Sequence, residues 1–197
     1  MLIQYLIKQS RKPSGLVGRL ITNIWSSYFK EPSLWAIKQT TIPNNSRILE
    51  IGYGGGSTIK NLLALDKDLD IHGIDISEES YHTARRIHSE AIENGSVKLR
   101  IGNVANLPYQ NSDFDLVFAI QTHIFWDDLK QSFQEIYRVM SNPSTLIIAS
   151  EKEKIKYHMT DYGTSHELKQ LLTSIGFSKI EEKQNYKWVV YVVTKSD

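Results

Sequence analysis

The chain has 197 residues, enough for one domain with a full hydrophobic core and too few for two ordinary ones. Lys and Arg total 23 against 22 Asp and Glu, so there is no basic excess to neutralise a phosphate backbone, and nucleic acid is not the expected partner. Cysteine is absent, which excludes disulfides, thiolate metal ligands and cysteine nucleophiles and fits a reducing, cytoplasmic setting.

The apolar stretch from Met1 to Ile7 has no basic flank before it and no small-residue cleavage site after it, so it does not read as a signal peptide. No run approaches the roughly 20 apolar residues that span a bilayer. Next, Leu16, Leu20, Ile24 and Tyr28 share one helical row, and Val17, Ile21, Trp25 and Phe29 share the adjacent one, which makes a broad apolar helical face. Residues 1–45 are therefore expected to form a helical segment that packs on a sheet or covers the mouth of a pocket. Residues 46–197 form the core of the same single domain.

Within that core, short β-rich runs alternate with helical patterns, which predicts a mostly parallel sheet with helices on both faces. The expected order begins with a strand at Arg47 to Ile51, a helix at Thr58 to Leu65, a strand at Asp70 to Asp75 and a helix at Glu78 to Asn94. Strands follow at Val97 to Gly102 and Phe114 to Ile120, then a helix at Asp127 to Met140, a strand at Thr145 to Ser150 and a helix at Ser165 to Ile175. The last two strands, Lys179 to Lys183 and Lys187 to Thr194, have no room for a helix between them and should form an antiparallel hairpin. The sheet then has seven strands.

The segment Arg47-Ile48-Leu49-Glu50-Ile51-Gly52-Tyr53-Gly54-Gly55-Gly56-Ser57-Thr58-Ile59 passes from a hydrophobic strand through four glycines into a helix. Glycines suit such a turn because the chain reverses tightly and its backbone must approach a ligand where a Cβ would collide. In the dinucleotide fingerprint the third glycine falls three residues after the second. Here that place is Ser57, and the pattern is instead acidic-x-Gly-x-Gly-x-Gly, starting from Glu50. A P-loop is excluded because no Gly-Lys-Ser/Thr follows. Asp75 ends the second strand about 20 residues past the glycines, where a carboxylate accepts hydrogen bonds from both hydroxyls of an adenosine ribose. Ser77, with Glu78 and Ser80, is available to cap the helix that follows.

With these residues the chain resembles the class I S-adenosylmethionine-dependent methyltransferases, in particular their compact small-molecule branch. The resemblance runs through Leu49 to Gly56, Gly73-Ile74-Asp75-Ile76-Ser77, Ile101 to Tyr109, Phe114-Asp115-Leu116-Val117 and Glu135 to Met140, five motifs in order. It implies a Rossmann-like α/β fold, S-adenosyl-L-methionine as cofactor and S-adenosyl-L-homocysteine as product. Carried over position by position, Gly52, Tyr53, Gly54 and Gly56 line the methionine moiety, with Glu50 near its amino group. Asp75 holds the ribose, Ile76 packs on the adenine, Asn103 and Val104 read the adenine edge, and Ile120 and Gln121 face the sulfonium. Two positions depart from the family pattern: Asn103 stands where Asp is common, and Pro143-Ser144-Thr145 replaces Pro-Gly-Gly, where a local change of loop geometry is expected.

Methyl transfer is an in-line displacement that asks mainly for alignment and desolvation. A general base is needed only when the acceptor loses a proton during attack, and His123, just past the fourth strand, is the candidate. Trp25, Tyr28, Tyr53, Phe125 and Trp126 are candidates to wall an apolar pocket for a small-molecule acceptor, and aromatic faces also attract a sulfonium. No histidine pair has metal spacing with a third ligand, so no metal is expected. Three other readings stay open: a non-catalytic binder of the same cofactor, a nicotinamide-dependent oxidoreductase, and an aminopropyl-transferring relative.

Overall fold

The computed structural model describes residues 14–15 and 30–196. The apolar face expected over Leu16 to Phe29, with Trp25 and Tyr28, lies outside the described residues. The strands are β1 (Arg47–Ile51), β2 (Asp70–Asp75), β3 (Val97–Ile101), β4 (Phe114–Ile120), β5 (Met140–Glu151), β6 (Lys179–Gln184) and β7 (Trp188–Lys195). The helices are α1 (Lys30–Ile37), α2 (Ser57–Leu63), α3 (Glu78–Ile87), α4 (Ser89–Glu93), α5 (Leu129–Val139), α6 (Lys152–His158) and α7 (Ser165–Ile175), with a 3-10 turn at His123–Phe125.

The strands form one seven-stranded sheet in the order β3-β2-β1-β4-β5-β7-β6. β1 to β5 run parallel. β7 is antiparallel to both β5 and β6, as the short connection between the last two strands requires. Alternate residues of the central strands enter opposite cores. Leu49, Ile51, Leu146 and Ile148 join Phe133 and Ile136 of α5 and Leu168 and Leu172 of α7 on one face. Ile48, Ile147 and Ala149 join Ala36 and Ile37 of α1, Ile59 and Leu62 of α2 and Ala84 of α3 on the other. Each fully buried Leu, Ile or Phe contributes roughly 1.5–3 kcal/mol, so two such layers account for a stable domain.

Helix starts follow local chemistry. Ser77 accepts from the Ser80 N–H at 3.2 Å and Asp128 from the Gln131 N–H at 2.9 Å. Thr164 and Glu167 form a reciprocal capping box. Four departures from the sequence reading have physical causes. The single helix expected from Glu78 to Asn94 breaks at His88, whose backbone leaves helical geometry while its side chain turns towards Gly56. β5 begins at Met140 and not at Thr145, with an irregularity in its pairing to β4 between Phe114 and Leu116, where the departing Pro143-Ser144-Thr145 lies. α6 escapes a periodicity search because Ile155 is its one buried residue. The helix of described residues preceding β1 is α1, short and pinned to α2 by Asn61, whose side-chain amide donates to the Lys30 carbonyl at 3.1 Å and to the Ser33 hydroxyl.

Candidate active site

The strand order reverses between β1 and β4, and in open α/β sheets ligands settle beyond the carboxyl ends of the strands at that point. The turn after β1 lies there. Gly52, Gly54 and Gly56 all have left-handed backbones, with φ of 71°, 51° and 80°. The Gly52 N–H donates to the Ile74 carbonyl at 2.7 Å and the Gly56 N–H to the Tyr53 carbonyl at 2.7 Å, which closes the turn into α2. A side chain at Gly52 would collide with Thr122 of the loop after β4, whereas one at Gly54 would meet nothing within 4 Å among the described residues. The turn therefore touches protein at Gly52 and faces a gap at Gly54.

Two buried carboxyl groups lie beside this turn, close enough together that the Asp75 charge helps to raise the Glu50 carboxyl. Glu50, at the end of β1, is buried, and burial pushes its carboxyl up to about 8 although the Thr58 hydroxyl and the Ile59 N–H hydrogen-bond to it. Its Oε2 has no hydrogen-bond partner among the described residues. At neutral pH the unliganded group is therefore a protonated carboxyl, and a buried carboxyl oxygen left without a partner is costly unless a ligand supplies one; an ammonium group there would favour the ionised form. Asp75, at the end of β2, accepts from the Gly54 N–H at 2.8 Å and the Ser77 N–H at 2.9 Å, and burial still raises it to about 6. The helix cap itself is Ser77, so Asp75 ties β2 to the glycine turn.

Next to Asp75, Ile76 is 40% exposed although apolar. Asn103 follows β3, and its side-chain oxygen accepts from the Ala105 N–H at 2.9 Å, holding the loop in an Asx turn. Val104 is buried beneath that loop. Ile120 ends β4 and Gln121 follows it. Gln121 is a non-glycine residue at φ 56°, held there by its N–H donating to the Ala149 carbonyl at 2.7 Å and its Oε1 accepting from the Glu151 N–H at 2.8 Å. A left-handed backbone at such a residue costs about 1–2 kcal/mol, which these bonds offset.

Two of the aromatic and imidazole candidates, Tyr53 and His123, sit differently from the sequence reading. Tyr53 does not face an acceptor pocket: its ring is buried against Gly73 and Leu99, and its hydroxyl donates to the Arg100 carbonyl at 3.2 Å. Only its backbone belongs to the turn. His123 is buried in the 3-10 turn with Nδ1 3.3 Å from the Ser150 hydroxyl, and burial pushes the imidazole down to about 4. That value makes it a weak proton acceptor at neutral pH. Phe125 and Trp126 are half-buried. Phe125 meets His158 of α6 edge-to-face at 4.8 Å, and the Trp126 indole donates to the Thr122 hydroxyl at 3.3 Å while packing on Phe133. Among the described residues no three His, Asp or Glu side chains gather as a metal site, and no helix is long and apolar enough to cross a membrane.

Sequence reasoning gave no role to His88, to Thr122 or to the ion pair of Glu135 with Arg138, which lie against the glycine turn or the loop after β3. Arg138, in the last turn of α5, donates to the Leu107 and Tyr109 carbonyls and to the Asn111 side chain at 2.9–3.0 Å. Glu135 accepts from the Leu107 N–H at 2.8 Å, and its ion pair with Arg138 holds its carboxyl below the usual range. Together they fasten the loop that carries Asn103 and Val104. The Glu-x-x-Arg spacing was the available signal.

Comparison with known proteins follows this geometry. Residues 48–142, close to half of the chain, match the family model described as Methyltransferase domain. YrhH of Bacillus subtilis is 30% identical over 123 residues, covering 60% of this chain and 67% of that protein. The uncharacterized methyltransferase YdaC of the same organism is 31% identical over 106 residues, covering 54% of this chain and 56% of that protein. The O-methyltransferase resE of Aspergillus sclerotiorum is 26% identical over 147 residues, covering 68% and 55%. The chain thus spans a little over half the length of YdaC and of resE. A solved SAM-dependent methyltransferase from Aquifex aeolicus superposes with a TM-score of 0.71 at 15% identity, over 89% of this chain and 97% of that one, and so shares the fold. On the glycine turn, the strand order and these matches together, the chain belongs to the class I S-adenosylmethionine-dependent methyltransferases.

Proposed function

We propose that the protein transfers a methyl group from S-adenosyl-L-methionine to a small-molecule acceptor by in-line displacement. The observation that carries this reading is the pairing of Glu50, a buried carboxyl with an unsatisfied oxygen, with a glycine turn that opens onto a gap at Gly54. A ligand that brings an ammonium group to Glu50 and two hydroxyls to Asp75 fits those needs. The likeness to an O-methyltransferase supports a small-molecule acceptor.

When bound, the cofactor supplies a methyl carbon on a sulfonium, which is already a good leaving group. The residues have the remaining work. Gly52, Gly54, Gly56 and the Tyr53 backbone line the methionine portion, and Glu50 receives its amino group. Asp75 binds the ribose, Ile76 offers its exposed surface to the adenine, and Asn103 and Val104 border the adenine edge. Ile120 and Gln121 close the sulfonium side, while Phe125 and Trp126 form one wall of the acceptor pocket and exclude water. His123, neutral and buried, is assigned a supporting role: it holds the 3-10 turn against Ser150. Catalysis then rests on alignment and desolvation, and suits an acceptor that needs no proton removed by the enzyme before attack.

The test is the melting temperature with S-adenosylmethionine, S-adenosylhomocysteine and NAD in turn. A ligand at 100 times its Kd adds about 2.7 kcal/mol, and each kcal/mol raises the midpoint of a domain this size by roughly 2–4 °C. A shift of several degrees with both sulfur compounds and none with NAD is expected; a shift with NAD alone overturns the reading. Formation of S-adenosylhomocysteine on addition of candidate acceptors then separates an enzyme from a non-catalytic binder.

A further inference from the structure

His88 sits 32 residues from Gly56 in sequence yet its Nε2 lies 3.0 Å from the Gly56 carbonyl oxygen. Only a ring N–H can meet a carbonyl in this way, so the tautomer is fixed: Nε2 carries the proton and donates. The contact is intimate. A Cβ built on Gly56 would collide with the imidazole, its Cδ2 lying 2.8 Å away, and Ala84 Cβ closes the same slot at 3.6 Å. The imidazole fills the place where any other residue at position 56 would put its side chain.

Satisfying the carbonyl does not explain the contact. The Gly56 oxygen already accepts the first helical bond of α2, from the Lys60 N–H at 2.9 Å. The chain also breaks a helix to make it: α3 ends at Ile87, α4 begins at Ser89, and His88 between them has φ −110° and ψ 26°. Its side chain is buried, as a space-filling residue would be, yet an apolar residue would fill the slot without needing the proton on Nε2. The hydrogen bond gives the Gly56 carbonyl a second donor besides the Lys60 N–H and so fixes the peptide plane at which the glycine turn, at φ 80°, becomes α2.

We infer that His88 is a positioning residue for the cofactor site, which holds the Gly54–Gly56 backbone in its ligand-binding conformation through the Nε2–H to Gly56 carbonyl bond. The inference rests on the reading that the glycine turn binds S-adenosylmethionine. It goes further by making affinity depend on a donor that does not touch the cofactor.

The experiment is isothermal titration of the whole protein with S-adenosylhomocysteine, well below the melting temperature, on wild type, His88→Gln, His88→Leu and His88→Met. Gln keeps a donor at similar reach, and Leu and Met keep bulk without one. Met serves if the branched Leu fails to fold, because an unbranched side chain adapts to an irregular slot. Loss of one neutral hydrogen bond corresponds to about tenfold in Kd. The expected result is a Kd raised about tenfold in the Leu and Met variants and restored to within about threefold by Gln, with native circular dichroism throughout. A merely structural role lowers the melting temperature but leaves the Kd of the folded protein unchanged, and that result overturns the inference. A Gln variant as weak as Leu and Met overturns it too. No binding by the wild type overturns the cofactor reading itself, and this inference with it.

Discussion

Gly73 lies in the middle of β2, where a glycine weakens a strand, and the reason is Tyr53. A Cβ at Gly73 would stand 2.7 Å from Tyr53 Cδ1 and 2.9 Å from Leu99 Cδ2. Gly73→Ala is therefore expected to destabilise by about 1–3 kcal/mol through overpacking, read as a lower urea midpoint at unchanged m-value. Asp75→Ala removes a charged acceptor that two backbone N–H groups and the proposed ribose share, and hydrogen bonds to charged groups are worth about 1.5–3 kcal/mol. Kd for S-adenosylhomocysteine should rise by roughly one to two orders of magnitude, measured by titration. At this scale residue type and spacing were enough to put Glu50, the glycines and Asp75 at the strand ends and in the turn. They did not tell where the Tyr53 ring and the His123 imidazole lie, because an aromatic ring or an imidazole near a motif reads the same whether it faces a ligand or a packed core.

At the scale of elements, α5 does more than cover the sheet. Through Arg138 and Glu135 its last turn grips the loop between β3 and β4 at Leu107, Tyr109 and Asn111. Arg138→Ala should cost about 2 kcal/mol and lower the midpoint by roughly 4–8 °C. It should also raise the Kd for S-adenosylhomocysteine several-fold, although Arg138 makes no contact with the glycine turn; an unchanged Kd would show that the loop orders without it. Most element boundaries were legible because hydrophobic alternation and caps are local. The split at His88 and the early start of β5 were not, because each goes with a contact between segments distant in sequence, and the short α6 was not, because it buries Ile155 alone and shows no apolar period.

Across the whole molecule, buried titratable groups make stability depend on pH in opposing windows. Glu50 is raised from 4.5 to about 8, so between those values the native protein retains a proton that the unfolded chain has released, and stability falls as pH rises. Asp75 acts in the same direction between 3.8 and about 6. His123 acts in reverse: depressed from 6.5 to about 4, it costs stability as pH falls through that range. Of the three, Glu50 alone still titrates above neutrality. The unliganded protein should therefore lose stability from pH 7 to 8, and Glu50→Gln should flatten that slope while weakening cofactor binding, both read from urea titrations at several pH values. An unaltered slope in the Gln variant would assign the effect to another group.

The succession of seven strands along the chain, the parallel sheet with its terminal hairpin, the glycine turn and the acidic residues at the ends of β1 and β2 were all determined by the sequence alone, because period, spacing and turn chemistry are local properties of the chain. Which side chains face the site was decided only by the tertiary structure. The Tyr53 ring goes under Gly73, His123 into the core beside Ser150, His88 onto the Gly56 carbonyl and Arg138 onto the neighbouring loop. Each of these contacts joins segments far apart in sequence, and burial by the rest of the fold, which no spacing encodes, sets both the direction of the side chain and its charge.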